Sequence, residues 1–347
     1  MPVTSPRHPP VTVSRRAVLV ALASAVAPGC RRASRTHHFE WLSFATTVRL
    51  TLTTRDAVLA NEAAAAVQRR FAQINRDWYA WGDGELGDIN TALMTTGEAP
   101  LSAEMADLLC QSKAFAARSA HRFDPAVGPL VKLWGFDRFD RGTPPSQWPT
   151  DKEIDAALRL VQRGFDIVSA PARAVRAASG SQIDLGGIAK GAALQAGLDT
   201  LAPFPLDGAL LDAGGDIATL AAPRQSPYRI GLQVPAARTR ERRAIPLQPG
   251  ECIMTSGDYA RYWANDDTVV QHIIDPRTGR PATGPRWATV IADDPLLADA
   301  TATALMVADP GEFYTLCDVM QVSDAMIAVT LDEIRMTDAL QRRLTDA

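Results

Sequence analysis

The head of this 347-residue chain lacks an apolar run of membrane length: its uncharged stretch from Ala17 to Gly29 is too short to span a bilayer as a helix. The chain also lacks the basic stripe with interleaved aromatics that marks a nucleic-acid surface, which excludes that class of partner. Its four cysteines, Cys30, Cys110, Cys252 and Cys317, are spaced too widely for a zinc pattern and do not make a complete disulfide set once Cys30 is set aside. Cys110 and Cys317 fall in helical apolar patterns and are expected to be small core residues. Neither a Walker loop nor a GxGxxG fingerprint is present, so the common nucleotide-binding folds receive no support. No internal repeat is visible, which removes solenoid and propeller architectures.

What is present is the composition of a globular protein, with 46% hydrophobic and 22% charged residues. The formal net charge of −3 conceals an asymmetry, because residues 1 to 36 hold six arginines and no acid, leaving the remainder at about −9. In "SRRAVLVALASAVAPGC" a paired arginine precedes the short apolar run, the layout of an export signal that favours the twin-arginine route and a periplasmic destination. Two processing routes stay open. Ala25-Val26-Ala27 fits a small-residue cleavage site with Pro28 directly behind it, and Gly29-Cys30 fits lipidation, which would leave the protein anchored through Cys30. Residues 37–347 read as a single domain.

Periodicity and cap chemistry set out the elements of that domain. "FATTVRLTLT" alternates as a strand over residues 44–53, and Asp56 caps an alanine-rich helix running to about Ile74. Further helices follow Ser102 and Thr150, the latter with Glu153 placed for a capping box. The segment "RFDPAVGPLVKLWGFDRFDRGTPPSQWP" is dense in Pro, Gly and aromatics, poor in regular structure, and reads as a binding loop or surface strap. From residue 165 short strands are expected at 166–169, 176–184, 209–212, 228–234, 252–255, 272–274 and 287–291, interrupted by helices at 188–201 and 297–307. The order does not repeat as βαβ, so the expected class is α+β, with mixed sheets and packed helices, neither Rossmann nor P-loop.

Four stretches carry polar residues where chemistry is plausible. In "IDLGGIAKG" a strand end at Asp184 turns through Gly186 and Gly187 into a helix with Lys190 in its first turn, an arrangement that suits a phosphate or simply makes a tight turn. "IMTSGDYARYW" and "QHIIDPRTGRP" each place polar residues after a short apolar strand, and His272 there is either a satisfied structural group or a catalyst. In "ADDPLLADATATALMV" a helix apolar on several sides carries Asp299, with Thr303 four residues on and therefore on the same face. A buried carboxylate needs a partner or a metal.

Taken in order, "FDPAVGPLVKLWGF", "DLGGIAKG", "LLDAGGDI", "TSGDYARYW", "HIIDPRTG" and "ADATATAL" resemble the ApbE family of FAD:protein FMN transferases, from about Phe44 to about Leu331. The arginine-pair signal is similar to that of the exported, NosX-like branch associated with nitrous-oxide respiration. The resemblance implies Mg²⁺ held by Asp299, Thr303 and the Gly187 carbonyl, an all-oxygen set suited to a hard cation. It implies flavin contacts at Phe44, Trp81, Phe123, Asp124, Asp184, Lys190, Ser256, Gly257 and Ile273. FAD would be the substrate and FMN the transferred group, going to a Thr or Ser hydroxyl of an exported or membrane-bound flavoprotein such as a NosR-like electron-transfer protein, with AMP released. His272 is the candidate general base and Asp258 the alternative. A Mg²⁺-dependent FAD pyrophosphatase and a non-catalytic flavin-binding assembly factor are the competing functions. The chain departs from the family pattern in "GDGELGDIN", where Gly84 and Gly87 replace serines, and at Ala45, where glycine is usual.

Overall fold

The computed structural model describes residues 34–141, 145–169, 173–220, 226–232, 243–259, 261–264, 269–330 and 332–346. The export-signal reading, including Cys30, lies outside them. Residues Ser34–Ala347 form one compact unit. The first strand among the described residues is Arg35–Ser43. No helix among the described residues is long and apolar enough to cross a membrane.

The α+β expectation holds. Among the described residues the central sheet has eight strands, Arg35–Ser43, Thr46–Thr54, Gly208–Ala213, Asp216–Thr219, Cys252–Gly257, Trp287–Ala292, Asp324–Ala328 and Ile334–Met336, and their spatial order is their chain order. Every ladder in it is antiparallel. The sheet is therefore an interrupted meander, with helices and small sheets inserted between its strands. Alternate residues of the middle strands enter two cores: Met254, Ala288, Val290 and Ile327 join the larger, Ile253, Trp287, Ile291 and Met326 the smaller. On the larger side lie the helices Ala57–Asp77, Ala189–Leu201 and Pro295–Val307.

The cap chemistry is realised. Asp56 accepts from the backbone N–H of Val58 and Leu59, Ser102 from Met105, and Thr150 with Glu153 forms the reciprocal box. Four local expectations need correction. The strand expected at 176–184 is only Ala174–Ala177, because the following residues are held by the buried Asn90 side chain instead of a ladder. No strand covers His272–Ile274; the extended piece is Val269–Gln271, and beyond it Ile274 makes one bridge to Pro281 around the Asp275 turn. Residues 122–141 are neither loop nor strap but a chain of short helices, Pro125–Val127, Gly128–Leu133 and Phe136–Arg141, with Phe123, Leu130, Trp134 and Phe136 buried. Cys110 is exposed on its helix, whereas Cys252 and Cys317 are buried.

The first hairpin shows how one substitution strains a turn. Ser43 pairs with Thr46, so Phe44 and Ala45 form a two-residue loop, and both have positive φ, 53° and 56°. Such a loop needs left-handed backbone at both positions, which costs an alanine about 1–2 kcal/mol. Phe44 is compensated by a hydrogen bond from its N–H to Asn75 Oδ1 at 3.1 Å and by packing 5.3 Å from the Phe71 ring. Ala45→Gly relieves the strain at some cost in unfolded-state entropy, and it is expected to raise stability by about 0.5–1 kcal/mol. Thermal melts of the two proteins check this, an unchanged or lower Tm counting against the strain.

Candidate active site

The site forms where two inserted helices meet the sheet. Helix Ala189–Leu201 has Ile188 at its N-cap and no side chain of its own to satisfy its first N–H groups. The Gly191 N–H is instead taken at 2.8 Å by Oδ2 of Asp299 from helix Pro295–Val307. The helices approach closely there because residue 191 is glycine: a Cβ would lie 2.2 Å from the Pro295 carbonyl oxygen. Asp299 is only 3% exposed, and among the described residues no ion pair reaches it. Burial pushes its carboxyl up to about 6, opposed by Lys190 and reinforced by Asp216. The apolar helix thus does bury its acid, as a cap for its neighbour.

One turn on, Thr303 Oγ1 donates to the Gly187 carbonyl at 3.2 Å, and its hydroxyl also lies 3.4 Å from that of Ser256. Gly187 is wedged against Thr303 and Phe123, where a Cβ would come within 2.9 Å and 3.2 Å of them. Asp299, Thr303 and the Gly187 carbonyl therefore share one corner, and all offer hard oxygen. No cluster of three or more His, Cys, Asp or Glu side chains suited to a metal occurs among the described residues, so a cation here depends on this mixed set and on ligand oxygens.

Lys190 pairs with Asp216, a residue the sequence reading passed over. Asp216 is 2% exposed, and its other oxygen accepts the Thr255 N–H at 2.8 Å. Burial works against the Lys190 ammonium, but Asp216 and Asp299 outweigh it and raise its pKa. The "LLDAGGDI" motif contained the signal, yet it holds two acids. Asp212 stabilises the turn by accepting from Gly215 N, and only the three-dimensional structure sends Asp216 inward.

Asp184 stands on the other side of the glycine turn. Its carboxylate accepts from Gly186 N at 2.8 Å and from the Trp81 indole at 3.2 Å. Burial raises its pKa, partly offset by those two donors and by Arg261. Asn90 holds this segment in place: Ile183 N–H donates to Asn90 Oδ1 at 2.7 Å, and its amide donates back to the carbonyls of Ile183 and Ala80. The glycine departures have a structural counterpart nearby. A Cβ on Gly84 would fall 2.0 Å from the Arg76 carbonyl oxygen, and one on Gly87 1.8 Å from that of Gly82.

Other sequence-nominated residues are held by different partners. Asp124 caps the turn at Ala126 and meets the His121 ring. Asp258 pairs with Arg286, and its second oxygen is buried with no hydrogen-bond partner among the described residues. Gly257 accommodates the Tyr259 ring, 2.4 Å from where a Cβ would stand, and Ile273 is buried with its carbonyl bound by Ala282 N. His272 Nδ1 lies 3.0 Å from the Arg261 carbonyl. A carbonyl only accepts, so Nδ1 carries the hydrogen and Nε2 keeps the free lone pair. Burial, then the Arg261 charge, lowers the His272 pKa to about 4, leaving it neutral at neutral pH.

The model of the ApbE family matches residues 44–327. An FAD:protein FMN transferase of Rhodobacter capsulatus is 35% identical over 286 residues, 82% of this chain and 54% of that protein, so the chain spans about half of that relative's length. An FAD:protein FMN transferase of Vibrio cholerae is 28% identical over 323 residues, 90% of this chain and 94% of that one. Among solved structures, the ApbE protein of Thermotoga maritima superposes with a TM-score of 0.77 at 25% identity, covering 89% of this chain and 99% of that one. The Vibrio cholerae flavin transferase ApbE gives 0.75 at 23% identity, covering 89% and 99%, a likeness of fold.

The lowered His272 pKa has a stability consequence with a definite sign. In the unfolded chain the ring takes up its proton near pH 6.5, in the folded protein only near 4. The contribution of the neutral ring is complete above pH 6.5 and is lost as pH falls from 6.5 toward 4. Urea unfolding at pH 7, 6 and 5 should show a shallower decline for His272→Gln than for the unsubstituted protein, whereas equal slopes would contradict the assignment.

Proposed function

The chain belongs to the ApbE family, and from that premise we propose that it transfers FMN from FAD to a Thr or Ser hydroxyl of a partner protein, releasing AMP. The observation that carries this reading is the buried Asp299 carboxylate beside Thr303 and the Gly187 carbonyl, two residues before a helix start that carries Lys190 in its first turn. An FAD pyrophosphate is the kind of ligand that a helix N-terminus and a lysine attract. The acceptor hydroxyl forms its new bond to the FMN-side phosphorus as the bond from that phosphorus to the AMP oxygen breaks.

The oxygen donors fit Mg²⁺, and the acid among them is buried without an ion pair among the described residues. Bound there, Mg²⁺ would offset charge on the pyrophosphate oxygens and the departing AMP. Lys190 supplies a second positive charge of the same use. Asp184, steadied by Trp81 and Gly186, sits on the flank of the glycine turn and orients the flavin-bearing part of FAD. His272 takes the hydroxyl proton at Nε2, the nitrogen its contact with the Arg261 carbonyl leaves free. An anionic pyrophosphate nearby raises the basicity of the ring above that of the empty site.

Residues 1–36, in this reading, direct export by the twin-arginine route, with either cleavage after Ala25-Val26-Ala27 or acylation at Cys30, and the acceptor is an exported or membrane-bound flavoprotein of NosR-like electron-transfer character. The support is the arginine pair, the short apolar run and the absence of acids in that segment.

Incubation of residues 34–347 with FAD, Mg²⁺ and a candidate acceptor domain, with AMP and acceptor mass followed together, tests the activity. Equal amounts of AMP and FMN-labelled acceptor are expected. AMP without label would make water the acceptor, and neither product would leave a flavin-binding factor. Asp299→Ala should lower transfer at limiting Mg²⁺ by at least a hundredfold, and His272→Ala by about 10²–10⁴-fold, the usual worth of a general base. An Asp299→Ala protein active at limiting Mg²⁺, or a His272→Ala protein within a few-fold of the parent, would remove the corresponding role.

A further inference from the structure

Lys190 stands in the field of two buried carboxylates and pairs directly with one of them. Both acids are oriented by backbone. Asp216 lies in the strand Asp216–Thr219, its Oδ1 held by Thr255 N at 2.8 Å and its Oδ2 turned to the ammonium. Asp299 is held through Oδ2 by Gly191 N at 2.8 Å. The lysine stem is the mobile member of the three, because four methylenes let the charge reach more than one partner. Its side chain is 36% exposed, which leaves it room to move, whereas Asp216 and Asp299 are 2% and 3% exposed.

We propose that Asp216 is a positioning residue of the site: by pairing with Lys190 it keeps the ammonium off Asp299 and leaves that carboxylate for a divalent cation. The proposal rests on the reading of Asp299 as a cation ligand. Without the Asp216 charge, the neighbouring buried acid becomes the natural partner of the ammonium, since Asp299 is the other carboxylate whose field it stands in and a buried carboxylate draws the nearest cation. A lysine seated on Asp299 then competes with the metal for the same oxygens. With Asp216 present, the two carboxylates and one ammonium leave one formal negative charge, which a divalent cation satisfies. The parked ammonium remains beside the glycine turn, where it faces an incoming phosphate. The same arrangement explains why a second acid is buried at all, although it occupies no place among the three oxygen donors of the corner.

The test uses Mn²⁺ alone as probe, titrated by electron paramagnetic resonance into residues 34–347 without flavin or acceptor. Asp216→Asn keeps an oxygen for the Thr255 N–H but puts an amide NH2, a donor without charge, where the oxygen facing the ammonium was, so the pair with Lys190 is lost. It is expected to raise half-saturating Mn²⁺ at least tenfold, and adding Lys190→Met in the same protein is expected to bring it back to within about threefold of the parent. A structural role alone would not be rescued by deleting the lysine. Mn²⁺ binding by Asp216→Asn within twofold of the parent, or a double variant as weak as the single one, overturns the proposal. If a thermal melt shows Asp216→Asn unfolded, Lys190→Met alone decides: affinity equal to or tighter than the parent supports it, and weaker affinity overturns it. A parent protein that binds no Mn²⁺ overturns the cation reading of Asp299 and this inference together. Failed flavin transfer alongside the expected Mn²⁺ pattern overturns only the proposed activity.

Discussion

The contact on which the site depends is a carboxylate from one helix closing the start of another. Asp299 Oδ2 accepts the Gly191 N–H, and the crossing exists only because residue 191 lacks a side chain. A carboxylate taken out of water is costly unless its charge is met. Here backbone donors at a helix N-terminus and the field of Lys190 lessen that cost, but the carboxyl still titrates well above its ordinary value. The fold therefore retains an electrostatic demand at one point, and such unresolved demands are more often found where a ligand belongs than in ordinary core.

The meander explains how so many separated residues reach that point. Strand order equals chain order, so the sheet needs no crossover, and its register is fixed by alternation of residues between two cores. The chemistry then comes from what is inserted between strands. Between Thr54 and Gly208 lie Trp81, Asn90, Phe123, Asp184 and the glycine turn, and between Gly257 and Trp287 lie Tyr259, Arg261 and His272. A rigid scaffold with functional connections tolerates change in the connections without losing register.

How much of this was legible follows the range of the interactions. Caps such as Asp56, Ser102 and Thr150 were readable because donor and acceptor lie within three residues of each other. The placement of Asp299 and Thr303 on one helix face was readable for the same reason. What could not be read was which acid goes inward when two are close in sequence, as with Asp212 and Asp216, since burial is decided by helices far along the chain. The segment after Ala177 misled for the converse reason: at Ile183 its backbone is bound by the side chain of Asn90, 93 residues away, and not by a neighbouring strand. Cys110 shows the limit of periodicity, which finds a helix more readily than it finds the edge of the buried face. The resemblance located the corner before any geometry did, and geometry added the residues that steady it.

Gly84 and Gly87, where the family pattern has serines, illustrate why a departure in sequence is not a simple deletion. The space of each missing side chain is filled by backbone, the carbonyls of Arg76 and Gly82, so the chain has closed around the glycines. The helix Glu85–Thr95 consequently starts without a side-chain cap. Glu85 turns instead to the next helix, accepting from the N–H and hydroxyl of its cap residue Ser102 and tying two helix starts together. Hydrogen bonding beside Trp81 comes from Asn90, whose amide donates to the carbonyls of Ala80 and Ile183, and from Asp184, which accepts from the indole. The Trp81 indole is held by Asp184, at the edge of the glycine turn, and the residue before that aspartate, Ile183, is in turn fixed by the buried amide of Asn90.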